Sequence, residues 1–270
     1  MSAAPGTAIA REWTRFTPAQ KLARYGLYLA AAVALVWSFR TIEIIPEFLY
    51  DSPAQIADLF GRMWPVDWGY FFEAVWTALI ETLHIATLGT ILSLLFALPL
   101  GLVAARNLTP VPALNLFAHF LFVTSRSVNS LVWALLFVAI FGPGPLAGTL
   151  AIAFRSIGFV GKLFGEAIEE ANPGSIEALV AAGAPVRSQI LMGYWPQVRP
   201  AFWSIALFRW DINIRESAVL GLVGAGGIGV ALDTALNLLY WDQVAVVLLT
   251  IFAVVVLAEL IVTMIRQRVL

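Results

Sequence analysis

The chain has 270 residues, of which 60% are hydrophobic and only 12% are charged, with a formal net charge of −1 and no cysteine. Soluble domains carry about 25% charged residues, so this composition excludes an ordinary soluble globular domain and indicates an integral membrane protein. The lack of cysteine excludes disulfides and thiolate metal sites.

Residues 1–21 form a polar N-terminal segment that carries Arg11, Arg15 and Lys21. The apolar run that follows has no clear cleavage site after it, so the segment is not expected to be a signal peptide. We expect this segment to lie in the cytoplasm and residues 22–270 to form the transmembrane domain.

Six segments are apolar over about 20 residues, the length of a helix that crosses a bilayer. They are Leu22–Ile45, Trp76–Ala105, Val111–Phe141, Leu146–Phe164, Ala201–Val223 and Val244–Ile265. If the spans alternate in direction, lysine and arginine concentrate in the connections on one side of the membrane. Residues 40–73 are rich in aspartate and glutamate and are predicted to be a loop on the other side. Because basic residues mark cytoplasmic loops, both termini are predicted to be cytoplasmic. The predicted fold is all-α, a polytopic membrane protein with six transmembrane helices.

Two arginines lie in apolar segments with no acidic residue within four positions on either side. They are Arg126 and Arg155, and small polar residues, among them Asn129 and Ser156, lie beside them. Charged groups inside membrane spans usually face the protein interior or a water-filled path. A guanidinium near hydroxyl groups can bind a tetrahedral oxyanion through two parallel hydrogen bonds. We expect these four residues to line an anion path; the alternative is tertiary pairing of either arginine with Glu81 or Glu216.

The fifth apolar segment carries several polar residues at helical spacing. A period of 3.6 residues puts Arg209, Asn213 and Glu216 on one face of the helix, and Asp211 and Arg215 on the opposite face. Each face combines a positive and a negative group, which leaves two interpretations open. In the first interpretation, the path is lined by Arg209, Asn213, Arg215 and Glu216. In the second, the charged groups form structural salt bridges.

Residues 165–200, between the fourth and fifth segments, are predicted to be the one substantial cytoplasmic loop. The sequence Asn172-Pro173-Gly174 is a turn signal. Ser175 is expected to cap a short helix, Ile176–Ala182, which ends at Gly183. A short helix–turn–helix of this kind is typical of a docking surface, and an ordinary connecting loop is the alternative.

The sequence Gly224-Ala225-Gly226-Gly227-Ile228-Gly229 matches the G-x-G-x-x-G fingerprint of dinucleotide-binding proteins. The apolar run before it is the end of a helical span and not a strand, and the nearby acids Asp233 and Asp242 sit at the wrong distances for a ribose contact. We therefore predict no cofactor in this chain. Gly224, Gly226, Gly227 and Gly229 are expected to form a structural loop or hinge that allows tight turns and close helix approach.

Several motifs resemble one family of membrane proteins. Glu177-Ala178, Gly183 and Pro196 have the spacing of the cytoplasmic EAA loop of ABC-importer permeases, although Leu179 replaces the second alanine. The run "PQVRPAFWSIALFRWDINIRESAVLGLVGAGGIG", together with "SRSVNSL" and "FRSIG", resembles the permeases of phosphonate importers and their phosphite-importing relatives.

The resemblance implies the type I permease fold of ABC importers, in the bacterial inner membrane. The implied function is the permease subunit of an ATP-driven importer of phosphonate or a related phosphorus oxyanion, such as phosphite or phosphate. The implied partners are a second copy of the permease, a periplasmic substrate-binding protein and a cytoplasmic subunit that binds ATP and Mg; no nucleic-acid partner is expected.

Roles for two segments follow from the same resemblance. Glu177, Ala178, Gly183 and Pro196 would couple the chain to the ATP-binding subunit, and the glycine loop would lie near the outer gate. The sequence has no P-loop, so ATP hydrolysis is expected on the separate subunit. A six-span membrane enzyme or scaffold without transport activity is the alternative, but no convergent nucleophile, base or metal ligands favour an enzyme.

Overall fold

A computed structural model describes residues 16–42 and 45–269, and the first part of the predicted cytoplasmic segment, residues 1–15, lies outside this range. The chain divides into two compact units, Met1–Ala57 and Asp58–Leu270. The described residues form helices and no strand. The helices are α1 (Pro18–Thr41), α2 (Pro46–Arg62), α3 (Trp68–Ala104), α4 (Pro112–Ser127), α5 (Ser130–Phe141), α6 (Pro145–Glu169), α7 (Pro173–Ala181), α8 (Val186–Val223), α9 (Ile228–Asn237) and α10 (Trp241–Val269). The prediction of an all-α fold is confirmed.

The first unit consists of α1 and the greater part of α2. α1 begins with a capping box, in which Gln20 N donates to Thr17 Oγ1 and the Gln20 side chain accepts from Thr17 N. These reciprocal hydrogen bonds start the helix before the predicted position, Leu22. α2 lies in the acidic stretch 40–73, where the sequence analysis predicts only a loop.

Among the described residues, four helices are long and apolar enough to cross a membrane: α1, α3, α6 and α10. The number rises to six if each of two bent helix pairs counts as one span. One pair is α4 with α5, and the other is α8 with α9. The chain is therefore a multi-pass membrane protein.

The predicted span Val111–Phe141 consists of two helices, because the helix axis bends by 93° between α4 and α5. Val128 and Asn129 both have extended backbone conformations, with ψ of 148° and 150°. The Asn129 side chain accepts a hydrogen bond from Leu131 N at 3.2 Å and so caps α5. Asparagine favours this N-cap position over a helix interior, which explains why the chain breaks at this point.

The predicted loop 165–200 is too long, because helices extend into it from both sides. α6 continues to Glu169, and α8 begins at Val186 with a wide π-helical turn over Gln189–Tyr194. The short helix within the loop starts at Pro173 and not at Ile176. Its cap is Asn172, whose Oδ1 accepts from Gly174 N at 2.9 Å, and not Ser175.

The core of the second unit forms where α3 and α6 approach each other closely. A Cβ added at Gly89 would lie 2.7 Å from Ile152 Cγ2, and one added at Gly101 would lie 2.7 Å from Phe164 Cδ1. Small residues of this kind allow membrane helices to pack tightly. Phe164 also stacks edge-on against Phe202 of α8, with ring centroids 5.4 Å apart. α3, α6 and α8 therefore form the scaffold that holds the polar residues described next.

Candidate functional site

Arg209 on α8 is almost completely buried, with 3% of its surface exposed. Its Nε donates to Ser156 Oγ at 2.8 Å, and its Nη2 donates to Glu216 Oε2 at 3.4 Å. The guanidinium also stands 5.5 Å from the centre of the Phe159 ring. A charge buried to this extent depends on such partners, because loss of hydration otherwise strongly disfavours it.

Arg155 on α6 forms an ion pair with the other carboxylate oxygen of Glu216. Glu216 is thus shared by two guanidinium groups, so the three side chains together retain one positive charge. The partner of Arg155 lies 61 positions away in the sequence. It is Glu216, one of the two acids named as possible tertiary partners, and a role of Arg155 in the anion path stays a prediction.

Neutral polar groups extend this arrangement to a third helix. Ser156 Oγ lies 3.2 Å from Asn213 Oδ1, and Asn213 Nδ2 donates to Thr90 Oγ1 of α3 at 2.8 Å. Ser156, Asn213 and Thr90 are all buried. We call this group the buried polar cluster; it comprises Thr90, Arg155, Ser156, Arg209, Asn213 and Glu216.

The predicted division of the fifth segment into two faces is confirmed. Arg209, Asn213 and Glu216 all belong to the buried polar cluster, whereas Arg215 forms a separate ion pair with Asp211 four residues earlier. The Arg215 side chain is 47% exposed. Of the two carboxylate oxygens of Asp211, Oδ1 is buried and has no hydrogen-bond partner within the described part of the chain.

Arg126 differs from the other arginines of the predicted path. It is exposed at the C-terminal end of α4, next to the break before α5, and it forms no ion pair within residues 16–42 and 45–269. A Cβ added at Gly158 of α6 would lie 2.9 Å from Arg126 Cγ. Gly158 is three residues after Arg155 on the same helix, and residues at this spacing share a face. The stem of Arg126 therefore packs about one helical turn from Arg155.

The predicted coupling residues lie on α7 and its flanks. Glu177 and Ala178 are exposed, and Pro196 is exposed in α8 just after its π-helical turn. Gly183 has φ of +73°, and Ala184 N donates to Leu179 O at 2.9 Å, which closes the C-terminus of α7. A left-handed residue at this position is a common helix ending and favours glycine.

Gln197 is a residue of this region that the sequence analysis missed. Its Nε2 donates to Ser175 Oγ at 2.9 Å and to Gly193 O at 2.8 Å, and its Oε1 accepts from Asn172 N at 2.9 Å. Gln197 thus ties the start of α7 to α8. In the sequence, Gln197 is recognisable only as a glutamine that follows Pro196. This position does not predict hydrogen bonds to residues more than 20 positions away.

The glycine loop has the backbone that the sequence predicts. Gly224, Gly226 and Gly227 have φ of +78°, +84° and +78°. A Cβ added at Gly229 would lie 2.8 Å from Gly221 Cα, so Gly229 permits the close return of α9 onto the end of α8. The segment before the loop is helical up to Val223, and this excludes the strand of a dinucleotide-binding unit.

The same loop borders an open cavity of about 610 Å³. Glu81 of α3 and Tyr70 line it together with Gly224, Gly226 and Gly227. Thr82, next to Glu81, accepts a hydrogen bond from Ile228 N at 2.7 Å and so anchors the loop to α3. Thr82 is a second residue that sequence reasoning missed.

Comparisons with known proteins identify the family of the chain. A family model described as "Binding-protein-dependent transport system inner membrane component" matches residues 97–270. The phosphite transport system permease protein PtxC of Stutzerimonas stutzeri is 40% identical over 78% of this chain and 76% of its own. The phosphate-import permease protein PhnE of Mycolicibacterium smegmatis is 34% identical over 92% of this chain, which spans only 47% of that relative.

Solved structures show the same fold at lower identity. An inward-facing form of the MetNI methionine ABC transporter matches with a TM-score of 0.64 and 21% identity, over 75% of this chain and 97% of that one. An amino acid ABC transporter crystallised with histidines matches with a TM-score of 0.61 and 20% identity, over 71% of this chain and 92% of that one. The chain belongs to the family of inner membrane components of binding-protein-dependent transport systems.

Proposed function

We propose that the chain is the permease subunit of an ATP-driven importer that moves a phosphorus oxyanion across the bacterial inner membrane. The observation that carries the proposal is the positive charge of the buried polar cluster. Arg126, which forms no ion pair with any residue that the structure describes, lies beside it. The names of the relatives, which refer to phosphate, phosphite and phosphonate, support this class of substrate.

The chemistry of the cluster suits such an anion. An oxyanion cannot enter an apolar membrane without groups that replace its hydration. Arg155 and Arg209 already bind the two oxygens of one carboxylate, Glu216. No carboxylate in the described part of the chain pairs with Arg126, so its guanidinium is available to a substrate. Contacts of this strength must also release the ion, and Glu216 can assist release by competing for Arg155.

The other predicted residues of the path have supporting roles. Asn129 caps α5 beside Arg126, and Ser156 and Asn213 orient Arg209. Arg215 is paired with Asp211 on the other face of α8, so we assign it a structural role in this proposal.

We further propose the partners that this role requires. A cytoplasmic subunit supplies ATP and Mg and docks on α7, where Glu177 and Ala178 are exposed. A periplasmic binding protein delivers the anion near the glycine loop, and a second copy of the chain completes the path. Both termini are cytoplasmic in this arrangement.

Uptake by purified complex tests the proposal. The chain, tagged and expressed in its own cells, is isolated with its ATP-binding subunit, reconstituted in liposomes and supplied with the binding protein. We expect ATP-dependent uptake of labelled methylphosphonate, phosphite or phosphate, and none with a non-hydrolysable ATP analogue. Uptake of none of these anions by a complex that hydrolyses ATP would contradict the proposed substrate class. Absence of any ATP-binding subunit from the purified complex would contradict the importer itself.

A further inference from the structure

α2 has one apolar and one polar face. At about 100° per residue, its larger apolar side chains fall within an arc of about 120°. They are Phe48, Leu49, Ile56, Leu59 and Phe60. The charged and amide side chains fall within a second arc on the other side; they are Glu47, Asp51, Gln55, Asp58 and Arg62. This division is typical of a helix that lies between an apolar and an aqueous phase.

Most of the apolar face of α2 is exposed in the part of the chain that the structure describes. Phe48 is 69% exposed, Leu49 is 65% exposed and Phe60 is 65% exposed, and none of the 17 residues of the helix is buried. Exposed apolar patches of this kind mark a surface that contacts another apolar phase or partner. The connections of α2 to its neighbouring helices indicate whether this surface contacts the membrane or a protein partner.

Both ends of α2 are tethered to helices that can cross a membrane. Four residues separate the end of α1, at Thr41, from Pro46, and five residues separate Arg62 from the start of α3, at Trp68. An extended chain covers at most about 3.6 Å per residue, so each end of α2 lies within roughly 20 Å of the end of a membrane helix. The connections therefore hold α2 near the membrane surface.

The side chains at the borders of α2 fit this location. Tyr50 falls between the apolar and the polar arc and is 84% exposed, and Trp64 and Trp68 follow the helix with 75% and 59% exposure. Tyrosine and tryptophan concentrate at the boundary between lipid and water. The polar face carries more carboxylates than basic groups, and these require water.

We propose that α2 lies flat in the membrane–water interface, with Phe48, Leu49, Ile56 and Phe60 in contact with lipid. Its polar face points to the aqueous side. This inference rests on the membrane helices α1 and α3 and is independent of the transported substrate.

Spin labels on single cysteines test the proposal, and the absence of native cysteine means that no background residue has to be removed. Two matched pairs sample opposite faces at the same position along the helix: Leu49→Cys with Asp51→Cys, and Ile56→Cys with Ala54→Cys. Each full-length variant is reconstituted in phosphatidylcholine–phosphatidylglycerol liposomes. Collision rates of the label are measured with oxygen, which concentrates in lipid, and with a water-soluble nickel chelate.

We expect labels at positions 49 and 56 to collide with oxygen several-fold more often than with the nickel chelate, and the opposite ratio at positions 51 and 54. Frequent collision with the nickel chelate at all four positions would overturn the proposal, because the face would then be in water. Rare collision with both reagents at positions 49 and 56 would also overturn it, because a protein surface would then cover the face. The second pair decides the question if one variant does not fold.

Discussion

At the scale of single residues, the charge balance around Glu216 determines how the buried polar cluster behaves. Arg155 and Arg209 share this one carboxylate, and Arg209 is the more deeply buried of the two. Loss of Glu216 leaves two guanidinium groups without an anion. Loss of Arg155 instead leaves one guanidinium with one carboxylate. The two changes remove the same ion pair but have different consequences.

Glu216→Gln is therefore expected to lower the thermal unfolding midpoint of the purified protein by several degrees, whereas Arg155→Gln lowers it little. Removal of one partner of a fully buried ion pair lowers the free energy of unfolding by about 3–5 kcal/mol. Glu216 is partly exposed, so we expect a smaller loss of stability in this protein. The double variant is expected to regain part of the stability lost in Glu216→Gln.

Lys162→Gln, which removes an exposed pair with Glu166, is the control and is expected to have almost no effect on the unfolding midpoint. Equal destabilisation by Glu216→Gln and Arg155→Gln would contradict the charge balance described for this cluster.

The sequence could predict part of this site. Helical spacing correctly groups Arg209, Asn213 and Glu216, because a period of 3.6 residues acts within one helix. The pairing of Arg155 with Glu216 was not predictable in this way, since it joins two helices that are distant in the sequence. A search for acids within four positions cannot detect such a partner.

At the scale of secondary structure elements, the differences from the predictions have identifiable causes. A hydropathy average over about 20 residues finds long apolar runs but not the break at Asn129, because the apolar stretches further out on both sides outweigh the short polar run of residues 125–130. The same average overlooks α2, because its polar residues recur at helical spacing and lower the mean. The helical periodicity of Phe48, Ile56 and Phe60 is a signal that could have identified this helix.

Gly183 allows a direct test of the role proposed for α7. Its φ of +73° disfavours any residue with a side chain, so Gly183→Val is expected to alter the end of α7 and reduce ATP hydrolysis stimulated by the binding protein at least several-fold. Gly174→Ala, at the start of the same helix where no positive φ is required, is the matched control. Both variants must still assemble with the ATP-binding subunit. Full stimulation in an assembled Gly183→Val complex would show that the turn does not govern coupling.

At the scale of the whole molecule, one chain provides few helices with which to surround a path. Six spans are reached only when both bent pairs are counted, and Arg126 remains exposed at the break between α4 and α5. A second copy would enclose such exposed polar groups. The exposure of Arg126 is therefore consistent with a path that is shared between two copies.

Native mass spectrometry of the transport-competent complex is expected to find two copies of this chain. Co-expression of two differently tagged copies should also allow each tag to recover the other. Copies mixed only after solubilisation are the control for association in detergent. A complex that contains one copy and still transports the anion would rule out the shared path.

Arg126 is proposed to bind the transported anion, and ATP-dependent uptake by complexes with Arg126→Gln and Arg126→Lys tests this role. Because Arg126 is exposed and has no partner acid in the described chain, both variants are expected to unfold within about 1 °C of the original protein, in the range of neutral surface substitutions. We expect uptake to fall at least tenfold with Arg126→Gln and less with Arg126→Lys, which keeps the charge but loses the planar fork. Arg62→Gln, which removes an exposed arginine paired with Asp58 on α2, is the control and is expected to retain most of the uptake. Normal uptake by a fully assembled Arg126→Gln complex would contradict the claim.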